Sequence, residues 1–357
     1  MQGLLRLFAI ARVWFFFHGL TLVAIMKQIL LIFLLFFSFI SKSQNIFKYE
    51  KEVNNIENYD FQEIDFQNLK ENIKLSGTLI KPKSDFDKIV IIVPGSGKDT
   101  RHSHYILAEQ LLKINIAVYR FDERGVGKSE GNYSELARDL SSDLNFAFKN
   151  LQKTYNNKKI GIIGHSIGGI AALKTIEENS NPNFIILIET PIIKNGAFII
   201  NQFKTNYENS IPEIMREGKT KNEIVIFMEG YLDVIKNSNP NSLKKEVKKY
   251  IQDKGFNKRF IALLNNEFLT EMASTNIEDT LKNTSIKTLY VTGTKDLVIN
   301  HKDEINLIES FKNPNIENKI FDSLNHYLTD RNGTVGSSLY QMDQEPLSDI
   351  KNWILKQ

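Results

Sequence analysis

The sequence predicts an α/β fold, a mostly parallel β-sheet with helices on both faces. Three observations carry this. Strand-like runs recur along the chain, and several are apolar almost throughout, as in KIVIIVP, KKIGIIG and NFIILIE. Such runs suit strands that are covered on both sides. Segments with helical spacing separate them, so that the two kinds alternate in a βαβ-like order. The chain has 357 residues, 42% apolar and 24% charged, enough for a sizeable buried core.

Taken in order, the strand-like runs are FQEIDF, IKLSGTLIKP, KIVIIVP, IAVYRFD, KKIGIIG, NFIILIE, IKTLYVTG and IENKIFD. The helical segments lie between them. In SHYILAEQLLKI, residues Ile106, Leu107, Gln110 and Leu111 approach an i, i+4 repeat. In SELARDLSSDLNFAFKNL, residues Leu136, Leu140, Leu144, Ala147, Phe148 and Leu151 form one apolar stripe. The alternation breaks between about 195 and 280, where IVIFMEGYLDVIK and SLKKEVKKYIQ read as helices and no core strand is evident. This stretch, 195–280, is expected to be a helical lid inserted into the domain, with core segments 44–194 and 281–357 on either side. Lys244, Lys245, Lys248 and Lys249 are expected on a solvated helix face.

Residues 1–43 differ from the rest. They hold no acidic residue and two apolar runs separated by Lys27. The second run has the parts of a secretory signal: Met26, basic Lys27, an apolar core from Ile29 to Ile40, and Ser41 and Ser43 ahead of a cut before Gln44. Each uninterrupted run falls short of the roughly 20 residues a spanning helix needs. The expectation is an exported protein, periplasmic or extracellular, with membrane contact only through this leader if it stays uncleaved. Residues 1–25 read as an extension upstream of the true start at Met26. The leader carries Arg6, Arg12, Lys27 and Lys42, whereas the whole chain has a formal charge of only +3. Without it the protein is slightly acidic, which gives no basis for nucleic-acid binding. The absence of cysteine excludes disulfides, cysteine-ligated zinc, a thiol nucleophile and a lipobox anchor.

Gly164-His165-Ser166-Ile167-Gly168 fits G-x-S-x-G, between an apolar run and a helix-like run. A tight turn that merely needs small residues would look the same, so the other requirements of serine chemistry must be sought separately. A serine hydroxyl needs a base to take its proton, a group to orient that base, and donors for the developing oxyanion. The chain has six histidines. His18 lies in the leader, His165 inside the motif, His102 and His104 beside the loop after KIVIIV, and His301 at the start of a helix-like run. His326 follows the last strand-like run and is the candidate base. Asp296, beyond IKTLYVTG, is the candidate acid, with Glu189 at the end of NFIILIE as its competitor. Ile167 and Ser96 are the candidate oxyanion donors through their backbone N–H groups, the latter in the glycine-rich loop IIVPGSGKDT. That loop matches neither the P-loop nor the G-x-G-x-x-G spacing. In FDERGVGKSEG, Asp122 and Arg124 are expected to pair and fix a structural turn.

Together these residues resemble the α/β-hydrolase family. Within it the chain is similar to bacterial acyl hydrolases and to serine aminopeptidase-like and monoacylglycerol-lipase-like members. The resemblance rests on the IKLSGTLIKP run as a leading hairpin, Gly95 to Gly97, Asp122 to Ser129, Gly164 to Gly168, and the late pair Asp296 and His326, and it spans roughly residues 60–357 apart from the insertion. Many members have His-Gly in the oxyanion loop, where this chain has Pro94-Gly95. The resemblance implies an α/β-hydrolase fold with an eight-stranded sheet, Ser166 at its carboxyl edge and the lid above it. It implies a serine hydrolase that cleaves a small-molecule carboxylic ester without metal or organic cofactor. An aminopeptidase is the alternative, with Glu208, Glu213 or Glu217 as lid acids for a free amine; a non-catalytic ligand-binding protein on the same fold is another. Substrate and oligomeric state stay open at this level.

Overall fold

In a computed structural model, the described residues are 47–210, 216, 218–256, 267–329 and 339–357. The leader 1–43, its signal-peptide reading, and Glu213 and Glu217 lie outside them. Residues from Ile46 to Gln357 form one compact unit.

Ten strands are described: β1 (Tyr59–Glu63), β2 (Phe66–Asn68), β3 (Ile73–Leu75), β4 (Gly77–Pro82), β5 (Lys88–Val93), β6 (Ala117–Phe121), β7 (Lys159–His165), β8 (Phe184–Ile188), β9 (Lys287–Gly293) and β10 (Ile316–Phe321). Eight of them make the main sheet, in the order β1-β4-β6-β5-β7-β8-β9-β10. The β1–β4 and β4–β6 pairs are antiparallel, and every pair from β6 to β10 is parallel. This is the eight-stranded, mostly parallel sheet of an α/β-hydrolase fold.

The helices are α1 (Tyr105–Leu112), α2 (Ala137–Thr154), α3 (Ile167–Glu177), α4 (Ala197–Thr205), α5 (Tyr207–Ser210), α6 (Lys221–Asn237), α7 (Leu243–Asp253), α8 (Glu267–Ser274), α9 (Glu278–Asn283), α10 (His301–Ser310) and α11 (Gln344–Ile354). The strand pleat sends alternate side chains to opposite faces of the sheet. Along β5, Ile89, Ile91 and Val93 join one buried apolar cluster with α2 and α3, whereas Val90 and Ile92 join another with α1 and α11. Burial on both faces explains why β5 and β8 are apolar at nearly every position.

The run IKLSGTLIKP is not one strand. β3 pairs with β2 in a separate two-stranded sheet, and β4 joins the main sheet. The break falls at Ser76, whose N–H donates to Ser129 Oγ and whose carbonyl accepts from Asp122 N–H. Those bonds draw Ser76 towards the loop after β6 and out of either ladder.

Between β8 and β9 the described regular elements are all helices. α6 starts with a capping box between Thr220 and Glu223 and buries Ile224, Phe227, Met228 and Tyr231. On α7, Val247 and Ile251 are buried while Lys244, Lys245, Lys248 and Lys249 are exposed. Among the described residues, no helix is long and apolar enough to cross a membrane.

Candidate active site

Three loops converge at the carboxyl edge of the parallel strands, where ligands of open α/β sheets bind. β7 ends at His165 and α3 starts at Ile167, leaving Ser166 alone in the turn at φ 52°, ψ −120°. Such backbone is sparsely populated by residues with a side chain and needs its surroundings to hold it. They do: Ser166 N–H donates to Ile188 O at 2.8 Å, and Ser166 O accepts from Gly169 N–H at 2.9 Å. The turn is also crowded. A Cβ at Gly168 would stand 2.3 Å from Pro94 O, and one at Gly164 would stand 2.4 Å from Gly168 O. The motif's glycines are therefore demanded by backbone packed against backbone.

The loops after β9 and β10 are laced together. Thr294 N–H donates to Phe321 O, Lys295 N–H to Leu324 O, and Ser323 N–H to Thr294 Oγ1. Within the first loop, Asp296 Oδ1 accepts from the N–H groups of Val298 and Ile299, at 2.5 and 3.1 Å. Within the second, Asn325 Oδ1 accepts from Tyr327 N–H and Thr329 N–H, fixing the chain on either side of His326. The two loops meet where His326 Nδ1 lies 2.6 Å from Asp296 Oδ2. The Asp296 side chain is fully buried and that of His326 is 13% exposed. Burial alone would raise the Asp296 carboxyl, but the charge and hydrogen bond of His326 and the bond from Val298 N–H hold it below the usual carboxylate range.

Ser166 and His326 face one cavity of about 260 Å³. Gly95, Ser96 and Ile167 line it beside the serine; Phe198, Gln202 and Phe268 come from the helices between β8 and β9, and Val298 from the Asp296 loop. Ser96 stands in the loop after β5, where Gly97 N–H donates to Tyr133 Oη at 3.1 Å. Ile167 is the first residue of α3, where helix N–H groups lack intrahelical partners.

The structure thus brings Ser166, Asp296, His326, Ser96 and Ile167 to one edge. Glu189 lies there too, beside Asp296, and is not among the cavity residues. Among the described residues, Glu189, Asp296 and His326 form the grouping with metal-ligand spacing, their atoms within 4.8 Å of one another. His104 packs its ring edge-on to that of His165, 5.2 Å between centroids, and His301 opens α10; the cavity walls include neither. Glu208 is ion-paired with Arg216 and is not among the cavity residues. Glu135 is an acidic wall residue that sequence reasoning missed. It lies in the polar loop before α2, and nothing in its local pattern marks it.

The expected Asp122–Arg124 pair does not form. Asp122, fully buried, takes a bidentate ion pair from Arg101, at 3.1 and 2.8 Å. Arg124 reaches Asp143 and Glu71 instead. Gly125 and Gly127, at φ 68° and 55°, wrap the following turn over the Asp122 carboxylate. That turn carries Arg124 outward to α2, and Arg101 fills the inner side.

A family model described as serine aminopeptidase, S33, matches residues 84–331. Monoglyceride lipase of Rattus norvegicus is 22% identical over 308 residues, covering 82% of this chain and 92% of that protein. Among solved structures, an esterase of Pyrococcus furiosus aligns with a TM-score of 0.56 at 19% identity, over 86% of this chain and 98% of that one. A thermostable carboxyl esterase of Bacillus coagulans in complex with glycerol aligns with a TM-score of 0.53 at 17% identity, over 83% and 98%.

Proposed function

The chain belongs to the serine aminopeptidase S33 family of α/β-hydrolases, and from that premise we propose that it cleaves a carboxylic ester through an acyl-enzyme on Ser166. The observation that carries this is the His326 Nδ1–Asp296 Oδ2 contact of 2.6 Å, with His326 and Ser166 on the wall of one cavity. Asp296 holds His326 in the Nδ1–H form, which leaves Nε2 free to take the Ser166 proton as the hydroxyl attacks the carbonyl carbon. The N–H groups of Ile167 and Ser96 stabilise the oxyanion. His326 hands the proton to the leaving alcohol; it then takes a proton from water, whose oxygen attacks the acyl carbon, and returns that proton to Ser166 Oγ as the acyl–oxygen bond breaks and the acid leaves. The apolar walls at Ile167, Phe198, Phe268 and Val298 support an acyl group of modest size. The helices of the insertion act as the lid over this site, and the leader directs export.

A panel of nitrophenyl esters and aminoacyl amides, run on the protein and on Ser166→Ala, tests the reading. Ester turnover that vanishes in the variant supports it; ester turnover that persists removes Ser166 from the chemistry. A second reading, a serine aminopeptidase, draws on Glu135, a carboxylate on the cavity wall without an ion pair among the described residues. Amide cleavage exceeding ester cleavage would favour it.

A further inference from the structure

The proposed chemistry leaves one buried acid beside the site without a task. Glu189 follows β8 at φ 45°, in the left-handed region that residues with a side chain seldom adopt, and its exposure is 0%. Its N–H donates to Val291 O, which locks it to β9. Its carboxyl accepts from Thr292 Oγ1–H at 2.7 Å and from Gly293 N–H. The same carboxyl stands beside that of Asp296: an oxygen of each and a ring nitrogen of His326 all lie within 4.8 Å of one another.

Two buried carboxyl groups this close resist both being ionised, and a proton kept on one lets it donate to the other. Asp296 is the ionised member, because it faces His326 and accepts two backbone N–H groups. Among the described residues, Glu189 makes no ion pair with a lysine or arginine, and His326 is paired with Asp296. Its surroundings are Thr292, the Gly293 backbone, Tyr290 and the Asp296 charge. Burial pushes its carboxyl well above the usual range, and the Asp296 charge pushes it further.

We propose that Glu189 is a positioning residue that stands as the neutral acid and donates a hydrogen bond to Asp296, holding that carboxylate against His326. This rests on the triad reading of Ser166, His326 and Asp296. A neutral donor suits the place because it fixes Asp296 without adding a second negative charge beneath His326. Ionisation of Glu189 would replace that donor by a like charge. The titratable groups around the pair are His326 from the loop after β10, Tyr290 from β9, His165 from β7 and His301 from α10. Among the described residues none of them is ion-paired with Glu189, His326 being taken up by Asp296, so ionisation of Glu189 is expected to produce a fall in activity on the alkaline side.

The test uses the full chain with Glu189→Gln, Glu189→Ala and Asp296→Asn. It reads kcat and KM across pH, and the far-downfield proton resonance of His326 Nδ1–H. Glutamine keeps a donor and an acceptor and cannot ionise. Glu189→Gln is expected to keep kcat within about threefold, to keep the resonance and to lose the alkaline fall. Glu189→Ala is expected to lower kcat by about 10–100-fold, the scale of a lost hydrogen bond to a charge, with KM little changed and the resonance weakened. Damage by Glu189→Gln as large as that by Asp296→Asn would make Glu189 an ionised acid and overturn the proposal. An unchanged pH profile and resonance in both Glu189 variants would reduce it to a filler and overturn it as well. Should Glu189→Ala fail to fold, the glutamine variant decides through its pH profile and resonance. Should the protein turn over no ester or amide, the resonance still reads Glu189, and the failure then belongs to the triad reading alone.

Discussion

The ring Nε2 of His165 lies 2.8 Å from the backbone carbonyl oxygen of His326. The residue before the candidate nucleophile thus holds the backbone of the candidate base, although 161 positions separate them. Burial, joined by the charge of His326, lowers the His165 imidazole to about 3, so it is neutral and the donor is its Nε2–H. Its ring also packs 5.1 Å from that of His326 and 4.8 Å from that of Tyr327. This one side chain ties the β7 turn to the loop after β10.

His165→Phe keeps a ring in that packing and removes the donor. The expected outcome is a fall in kcat of about fivefold with KM nearly constant, since one neutral hydrogen bond is worth about 1 kcal/mol. Steady-state kinetics on a nitrophenyl ester would check it. A KM rise with constant kcat would point to the cavity instead.

Ser166→Ala is expected to lose essentially all ester turnover and all labelling by a fluorophosphonate probe. The loss should be about 10⁶-fold, the scale for removing a serine nucleophile. Alanine lacks only the hydroxyl, and the turn at φ 52° remains strained for either residue, so the melting temperature should stay within a few degrees.

Asp296→Asn is expected to lower kcat by about 10⁴-fold, because asparagine favours the wrong imidazole tautomer. Asn can still accept from Val298 and Ile299 N–H, so the loop should survive. Circular dichroism unchanged beside lost turnover would separate chemistry from folding.

Gly168→Ala is expected to destabilise the protein by about 2–4 kcal/mol or more, or to abolish soluble expression, because the new methyl would collide with the Pro94 and Val93 carbonyls at 2.3 and 2.5 Å. Gly97→Ala makes the contrast: nothing lies within 4 Å of a Cβ there, although its φ of 119° still strains any side chain. Thermal melts of the two variants should therefore differ, with Gly168→Ala the worse.

Glu304 gives a prediction for stability against pH. It is 2% exposed, accepts from the N–H groups of Ile192 and Ile193, and is raised from 4.5 to about 8 by burial, which those bonds only partly offset. The folded protein therefore binds this proton more tightly than the unfolded chain does. Its contribution to stability is full below the unfolded value and is lost as pH rises towards 8, by up to about 1.4 kcal/mol per pH unit. Glu304→Gln, which cannot ionise, is expected to lose less melting temperature than the wild type between about pH 6 and about pH 9.

Much of this was legible along the chain. The runs KIVIIVP, KKIGIIG and NFIILIE form β5, β7 and β8, since apolar residues at every position only suit strands buried on two faces. Ser166, Asp296 and His326 stood out because each follows a strand-like run, in the chain order of the family resembled. Glu135 did not, because it lies in a polar loop and becomes a wall residue only through packing beside segments far away in the chain. The break of IKLSGTLIKP at Ser76 was equally hidden, since the bonds that cause it come from Asp122 and Ser129, more than forty residues away.

What the sequence determined by itself was the alternation of strands and helices, the turn at Ser166 and the small set of candidate residues for serine chemistry. Those follow from side-chain period and from steric demands that act between near neighbours. The tertiary structure alone decided that Asp122 pairs with Arg101 and not Arg124, that Asp296 faces His326 while Glu189 sits behind it, and that Phe198 and Phe268 wall the cavity. The reason is physical: pairing and protonation depend on through-space distance and on removal of water, and both are set only when segments far apart in the chain pack together.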